Sequence, residues 1–509
     1  MDYSIGLIST VFCGHLGRTE LAGVALANAI INVTGVSVGV GLSAACDTLI
    51  SQTFGSGNVK RVGIILQRAI LILLLACFFS WTILMNTQSL LLAISEDPHT
   101  VMHCINTLLL YIFLTQAMFA YQLEARYLQN QEIIWPQVIS GVVATSISAL
   151  TNYIFLFVLG LGVEGSAGAN VISQYSMAII LYCYILCKGL HKNTWPGWSK
   201  ECLQEWGTYI RLAIPCMVMV SIEWWTFEIS AFLAGLLSEV ELGTQSVVYE
   251  LSNIAFMFPY GFSIAGSVKV GNALGAGETE RAKCSAKLAI VCAASVSVCI
   301  AIILGTAKNV IPYIFSEDEQ IRKRVAQVMT IYAPFHILDA TAAAAGSIMK
   351  GMGKQKTGAI GSAVGFYGVG FPIGLSLMFA AKLGVVGLWI GLLICVFMEA
   401  VFFIAYLIKL DWKKATEEVI CLFDIFCFTT LLQPLTEDPE EQHVVTGSAG
   451  GHSDTNVLFE EVDTVAVTTV GRLLTNRELL LRRGLALGVT LSVFTLGVIA
   501  HVLLTRGGK

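Results

Sequence analysis

The stretch ISQTFGSGNVKRVG, residues 50–63, returns in altered form as KVGNALGAGETERA, residues 269–282, with Gly55 and Gly57 matching Gly275 and Gly277 at an offset of 220. Two more pairs keep the same order and nearly the same spacing. CGHLGRTELAGV from Cys13 resembles AGLLSEVELGTQ from Ala234, with Glu20-Leu21 matching Glu241-Leu242 at 221. LGVEGSAGANVIS from Leu161 resembles LGVVGLWIGLLIC from Leu383, with Gly162 matching Gly384 at 222. One match is a coincidence, but three in order at one offset imply two homologous halves. The paired glycines read as tight turns leading into helices rather than as phosphate loops.

What repeats is a set of membrane spans. Of 509 residues, 55% are hydrophobic and 13% charged, with a mean hydropathy of +0.74. That is more apolar surface than a soluble core can bury. Windows of spanning length fall near 22–46, 62–85, 101–122, 135–159, 166–188, 209–237, 244–268, 283–306, 325–349, 358–380, 384–409 and 484–505. The expected fold is all-α: two six-helix bundles related by an axis along the membrane normal, with a cavity between them and one further C-terminal helix.

The opening MDYSIGLISTVFCG is apolar but too short to cross about 30 Å of hydrocarbon. The second half's helix 209–237 maps, at 221, onto positions that begin before Met1. The first span is therefore expected to be N-terminally truncated. The segments are taken as a first half at 1–190, a connector at 191–208 with an interfacial helix, a second half at 209–414, an acidic linker at 415–483, and a last span with a short tail at 484–509. In the linker, TEDPEEQ and GSAGGHSD read as disordered, and the apolar patch VICLFDIFCFTTLLQPL as interfacial rather than spanning.

Lys and Arg concentrate in alternate loops, at Lys60/Arg61, Lys188/Lys192/Lys200, Lys269/Arg281/Lys283, Lys350/Lys354/Lys356 and Lys409/Lys413/Lys414. By the positive-inside bias these loops are cytoplasmic, as is the starting end of the full-length protein, and the final TRGGK is extracellular. A net charge of −5 leaves no basic footprint for nucleic acid. No obligate protein partner is implied, and no cleaved signal peptide is expected. The cysteines show no CxxC or Cys/His spacing suited to a metal and read as small buried hydrophobes.

Acids inside the spans belong almost wholly to the second half. IEWWTFEI, residues 222–229, holds Glu223 and Glu228, and Glu250, Asp339 and Glu399 lie on later spans. The first half has only Asp47 near a helix end and Glu124, with Arg126 two residues on. A carboxylate at mid-bilayer costs about 2.5–3.5 kcal/mol on insertion scales and marks a functional path. A carboxyl in an apolar site can take a proton from one side and release it on the other. When ionised it can hold an organic cation, helped by aromatic faces such as Trp224, Trp225, Phe227 and Tyr249. Glu223 and Glu228 lie about 140° apart on an ideal helix, so their roles should divide. Glu228 and Glu250 are expected to face each other or the cavity of the second half and to share protons, and Glu223 to lie nearer the cleft between the halves or in a bonded shell behind the site. His336, three residues from Asp339, fits a packed core histidine as well as a proton relay. Asn32-Val33-Thr34 matches a glycosylation triplet but sits inside a span.

The motifs IEWWTFE, VELGTQSVVYEL and VGNALGAG, with NVTGVSVGVGLSAACDTLISQ, WGTYIRLAIP and GFPIGLSLMF, resemble those of the multidrug and toxin extrusion (MATE) transporters, in particular the vertebrate proton-coupled organic cation branch. The resemblance runs from about Val11 to Lys414. It implies the two-bundle fold with an extra C-terminal span and a plasma-membrane antiporter that exports organic cations for protons. It also implies that Glu223, Glu228, Glu250 and Asp339 carry protons and cations, with Trp224, Phe227, Tyr249, His336 and Asn32 in support. No cofactor is implied beyond the proton as coupling ion. Phe227 departs from the family's tyrosine, and Asp339 from its usual glutamate.

Among rival functions, a sodium-coupled exporter of the same fold is nearest. A lipid-linked flippase would favour basic residues in the cavity, and a channel a continuous polar stripe. No GxxxxGK[ST] motif and no nucleophile, base and orienting group in a recognisable arrangement suggest an ATPase or another enzyme.

Overall fold

The computed structural model describes residues 5, 6, 8, 9, 12, 18–93, 98–195, 197–315, 318–421 and 474–507. Among these, twelve long helices carry the fold. Helix α1 is built from Arg18–Ile31, a wide π turn at Asn32–Val36, Ser37–Ser43 and Ala45–Gly55. It is followed by α2 (Val59–Ala93), α3 (Pro98–Gln129), α4 (Trp135–Tyr153, with a π turn Ile154–Val158) and α5 (Gly162–Cys187). The second half comprises α6 (Trp206–Leu237), α7 (Glu239–Gly275), α8 (Thr279–Thr306), α9 (Glu319–Gly351), α10 (Gln355–Ala380) and α11 (Val385–Lys409). Last comes α12 (Asn476–Gly507).

Eleven of these helices are long and apolar enough to cross a membrane by composition. The exception is α9, expected as a span at 325–349. Its start carries Arg322, Lys323 and Arg324 and its middle His336 and Asp339, which lowers its hydropathy. Tyr332, Phe335 and His336 are nonetheless buried. A helix enclosed by protein rather than lipid can carry such groups.

The duplication is written in the backbone. Left-handed φ angles recur at matched positions: Gly57 (79°) with Gly277 (77°), Glu132 (64°) with Gly353 (79°), and Gly162 (59°) with Gly384 (62°). The π turn Ile154–Val158 recurs as Ser376–Ala380. Glycine or a polar residue tolerates φ > 0, so these turns survive where the surrounding sequence has diverged.

Each half has its own core. In the first, Tyr121, Leu128 and Met177 pack together, and in the second, Tyr332, Phe335 and Trp389. Helix α6 passes between them. Its first turns, through Trp206, Tyr209 and Ala213, belong to the first core, and further on Met219, Ile222 and Ala234 belong to the second. The Tyr209 hydroxyl donates to the Leu42 carbonyl at 2.9 Å, tying α6 to α1.

The connector differs from expectation. Instead of an interfacial helix it has two short turns, His191–Thr194 and Lys200–Leu203, and Glu205 then adopts φ 53° just ahead of α6. Arg61 and Arg68 of α2 reach the Glu205 carboxylate at 3.0 and 3.3 Å, holding the chain in that bend. Near the start, Ile5, Gly6, Ile8, Ser9 and Phe12 are helical, and Ile5 joins the first core. Residues 412–421 are helical. The rest of the apolar patch, with the linker from 422 to 473, lies outside the described residues.

Candidate functional site

The acids of the second half converge from four helices. Glu223 (α6), Asp339 (α9) and Glu399 (α11) lie within electrostatic reach of one another. Asp339 and Glu223 are partly exposed, whereas Glu399 is 7% exposed and accepts a hydrogen bond from Ser362 Oγ of α10 at 2.5 Å. Lys350, in the last turn of α9, is the cation that acts on both Glu223 and Glu399, yet it forms no ion pair with either.

A second group sits further along α6. Glu228 accepts a hydrogen bond from Asn32 Nδ2 at 3.1 Å, across the seam from the π turn of α1. A wide turn carries one more residue than an α-turn and re-aims its side chains, a form frequent at functional sites. Trp225 Nε1 donates to the Val33 carbonyl in the same turn at 3.2 Å, and Trp224 packs on the first half's side. Tyr249 of α7 lies close to Glu228, Glu250 and Glu223.

This placement differs from a Glu223 nearer the cleft and a Glu228 facing the cavity of the second half. Glu228 lies at the seam with the first half, and Glu223 lies inside the second half with Asp339 and Glu399. Helix phase separates the two acids correctly but does not say which neighbour each face meets. Asn32 supplies that information, and its place in a π turn leaves no mark in the hydropathy pattern.

Aromatic rings wall the second half's interior. Phe227 lies 5.7 Å from Tyr249 and 6.2 Å from Trp389, centroid to centroid. Trp389 stands edge-on to Tyr332 and Phe335 and donates Nε1–H to Gln245 Oε1 at 2.9 Å. His336 is fully buried, with Nδ1 3.3 Å from the Tyr332 hydroxyl and Nε2 without a partner among the described residues. It therefore packs with the aromatic wall, one turn from Asp339.

The first half has no matching acid cluster among its described residues. Arg126 is ion-paired with Asp47, donates to Ser43 Oγ at 3.0 Å and to the Val40 carbonyl at 3.2 Å. It turns away from Glu124, since residues two apart on a helix point in different directions. Elsewhere neutral groups do the bonding: Ser9 with Ser166 and Asn170, and Ser166 with Asn152. Among the described residues no group of His, Cys, Asp and Glu has the geometry to hold a metal ion.

Comparison with known proteins follows the same lines. The MatE family model matches residues 1–154 and 215–375, one block in each half. The chain belongs to the MATE family. It is 53% identical over 523 residues to multidrug and toxin extrusion protein 1 of Danio rerio, covering 99% of this chain and 88% of the relative. Against protein 2 of Mus musculus the identity is 46%, over 100% of this chain and 90% of the relative. Human protein 1 is 51% identical over 418 residues, 82% of this chain and 73% of the relative. Among solved structures, the eukaryotic MATE transporter AtDTX14 superposes with a TM-score of 0.78 at 28% identity, over 82% of this chain and 94% of that one. As a MATE protein the chain is a multi-span secondary transporter and not an enzyme.

Proposed function

We propose that the protein exports organic cations, drugs and toxins among them, in exchange for protons, by alternating access of the cavity between its halves. The supporting observation is the excess of acid inside the second half. Glu223, Glu228, Glu250, Asp339 and Glu399 make no ion pair among the described residues, and aromatic rings flank them. Carboxyls without a fixed counter-ion accept either a proton or an organic cation, and rings add a cation–π face. A site that holds one or the other exchanges them. The relatives' names, multidrug and toxin extrusion proteins, agree with such cargo.

One pH unit across the membrane is worth about 1.4 kcal/mol per proton, enough for roughly tenfold accumulation of a monovalent cation in one-for-one exchange. No cofactor is required beyond the proton. The expected setting is the plasma membrane, with the Lys- and Arg-rich loops in the cytoplasm and the end of α12 outside.

Uptake of a fluorescent organic cation into vesicles under an imposed proton or sodium gradient tests the reading. A proton gradient alone should drive it. Drive by sodium and not by protons would replace the proton reading with sodium coupling, and no cation movement under either gradient would remove the transport reading.

A further inference from the structure

Glu399 is more deeply buried than Glu223 and Asp339 beside it. It lies on α11, 7% exposed, with Oε1 held by Ser362 of α10 at 2.5 Å and its Cβ against Gly365. The groups facing it are Glu223 from α6, Asp339 and Lys350 from α9, and Cys395 from its own helix. Of these Lys350 alone is basic, and it is not within ion-pair distance. Three carboxyls in one poorly hydrated place cannot all be ionised against one distant ammonium, so they must share protons as a unit.

From this juxtaposition we infer that Glu399 is a third proton-sharing carboxyl of the exchange site, placed by Ser362 so that it keeps a proton among Glu223, Asp339 and itself while remaining out of reach of the cargo. The inference rests on the proton-exchange reading above. Ser362 fixes one oxygen from the α10 side, and Oε2 has no bond among the described residues. A cation entering beside Glu223 or Asp339 therefore displaces proton charge from the whole group, part of it from Glu399, a residue the cation never touches.

The test uses the full chain, purified and reconstituted, with tetraethylammonium as probe because it carries no titratable proton of its own. Its binding heat is measured near neutral pH in two buffers of different ionisation enthalpy, which yields protons released per cation bound. In the unaltered protein the release should be measurable. Release of none would sink the proton reading itself, whatever the variants do. Given release, Glu399→Gln should still bind the probe, with affinity changed less than about tenfold, but should release at least a third fewer protons. Glu399→Asp, which keeps a carboxyl and loses the reach to Ser362, should restore most of the release. Ser362→Ala, which removes the anchor but keeps the carboxyl, should lower the release by less than Glu399→Gln does and leave the affinity within the same tenfold. Proton release unchanged in Glu399→Gln would overturn the inference and leave Glu399 a structural anchor of α10. Loss of release equal in Glu399→Gln and Glu399→Asp would overturn it as well, since a carboxyl alone would then not suffice.

Discussion

Gly55 of α1 and Gly275 of α7 meet reciprocally: a Cβ added at Gly55 would collide with the carbonyl oxygen of Asn272, and one added at Gly275 with that of Gln52. Both partners, like the glycines themselves, are 220 residues apart, so the contact sits on the axis relating the halves. Around it, the matched donors reach the other half by different acceptors: Gln52 Nε2 donates to the Gly351 carbonyl at 2.9 Å and Asn272 Nδ2 to the Glu132 carboxylate Oε1 at 3.1 Å. On the side bearing the basic loops the halves are thus closed against each other.

A methyl group at either glycine must force the helix ends apart. Overpacking of this kind costs about 1–3 kcal/mol, and each 1.4 kcal/mol shifts a two-state population tenfold. Gly275→Ala should therefore speed labelling of a cysteine placed at Thr48 by a membrane-impermeant maleimide in inside-out vesicles, by roughly tenfold. An unchanged labelling rate would show that the glycines do not set the closed state.

Lys269 Nζ to Glu132 Oε2, at 2.8 Å, is the ionic part of the same closure. The hydrogen bond from Lys269, helped by that from Asn272, holds the Glu132 carboxyl below its ordinary value of 4.5. A depressed carboxyl contributes at all higher pH and is lost as pH falls through the depressed value. Closure should therefore be insensitive to Glu132 between pH 6 and 8 and weaken below about pH 4.5. Because the pair is largely exposed, Glu132→Gln should cost at most about 1 kcal/mol, less at high salt. The charge swap of Glu132→Lys with Lys269→Glu should recover the Thr48 labelling rate that either single change raises. Failure of the swap to recover it would mean that the pair contributes by shape and not by charge.

Much of this was legible beforehand, and for physical reasons. Spans follow from the length of apolar runs, and the duplication from turns whose left-handed φ constrains their residues, as at Gly57 and Gly277. The acids stand out because hydrocarbon penalises them. Three features were hidden. Glu205 in a left-handed bend looks like any surface glutamate until Arg61 and Arg68 are seen around it. Asp47 and Arg126 are separated by most of two helices, so only the fold could pair them. The neighbour of Glu228 was hidden because the π turn at Asn32 rotates the residues that follow it relative to a regular helix.

Two separate couplings follow for the acids. Glu223 and Asp339 interact within the second half, whereas Glu228 bonds Asn32 across the seam. Residues sharing one interaction depart from additivity by more than about 0.5 kcal/mol, and distant ones do not. In cation binding near neutral pH, Glu223→Gln with Asp339→Asn should be non-additive, as should Glu228→Gln with Asn32→Ala. Glu223→Gln with Asn32→Ala should be additive. Additivity throughout would mean that these contacts are not made in the state that binds the cation.

The last helix lies outside the duplication and beyond the acidic linker, which in the sequence suggests that it is dispensable for exchange. It is nonetheless docked. Arg483 donates Nε–H to the Leu203 carbonyl at 2.8 Å and stacks 4.2 Å over Trp206, Gln204 exchanges two hydrogen bonds with Leu474, and Asn86 of α2 donates to the Gly497 carbonyl at 3.0 Å. Phe494 packs edge-on against Phe78 and Trp81. All of these contacts are to α2, the connector or the first turn of α6, so α12 fastens the chain between the halves to the first half. A chain ending after Cys421 should still exchange cations, but with its initial uptake rate reduced roughly two- to tenfold, the effect of losing about 1 kcal/mol from such contacts. Arg483→Ala, which removes one hydrogen bond and one cation–π contact, should reproduce a good part of that fall. Uptake is to be compared at matched surface expression. An unchanged rate in both variants would reduce the docking to passive packing, and complete loss in the truncated chain would make α12 part of the transport machinery itself.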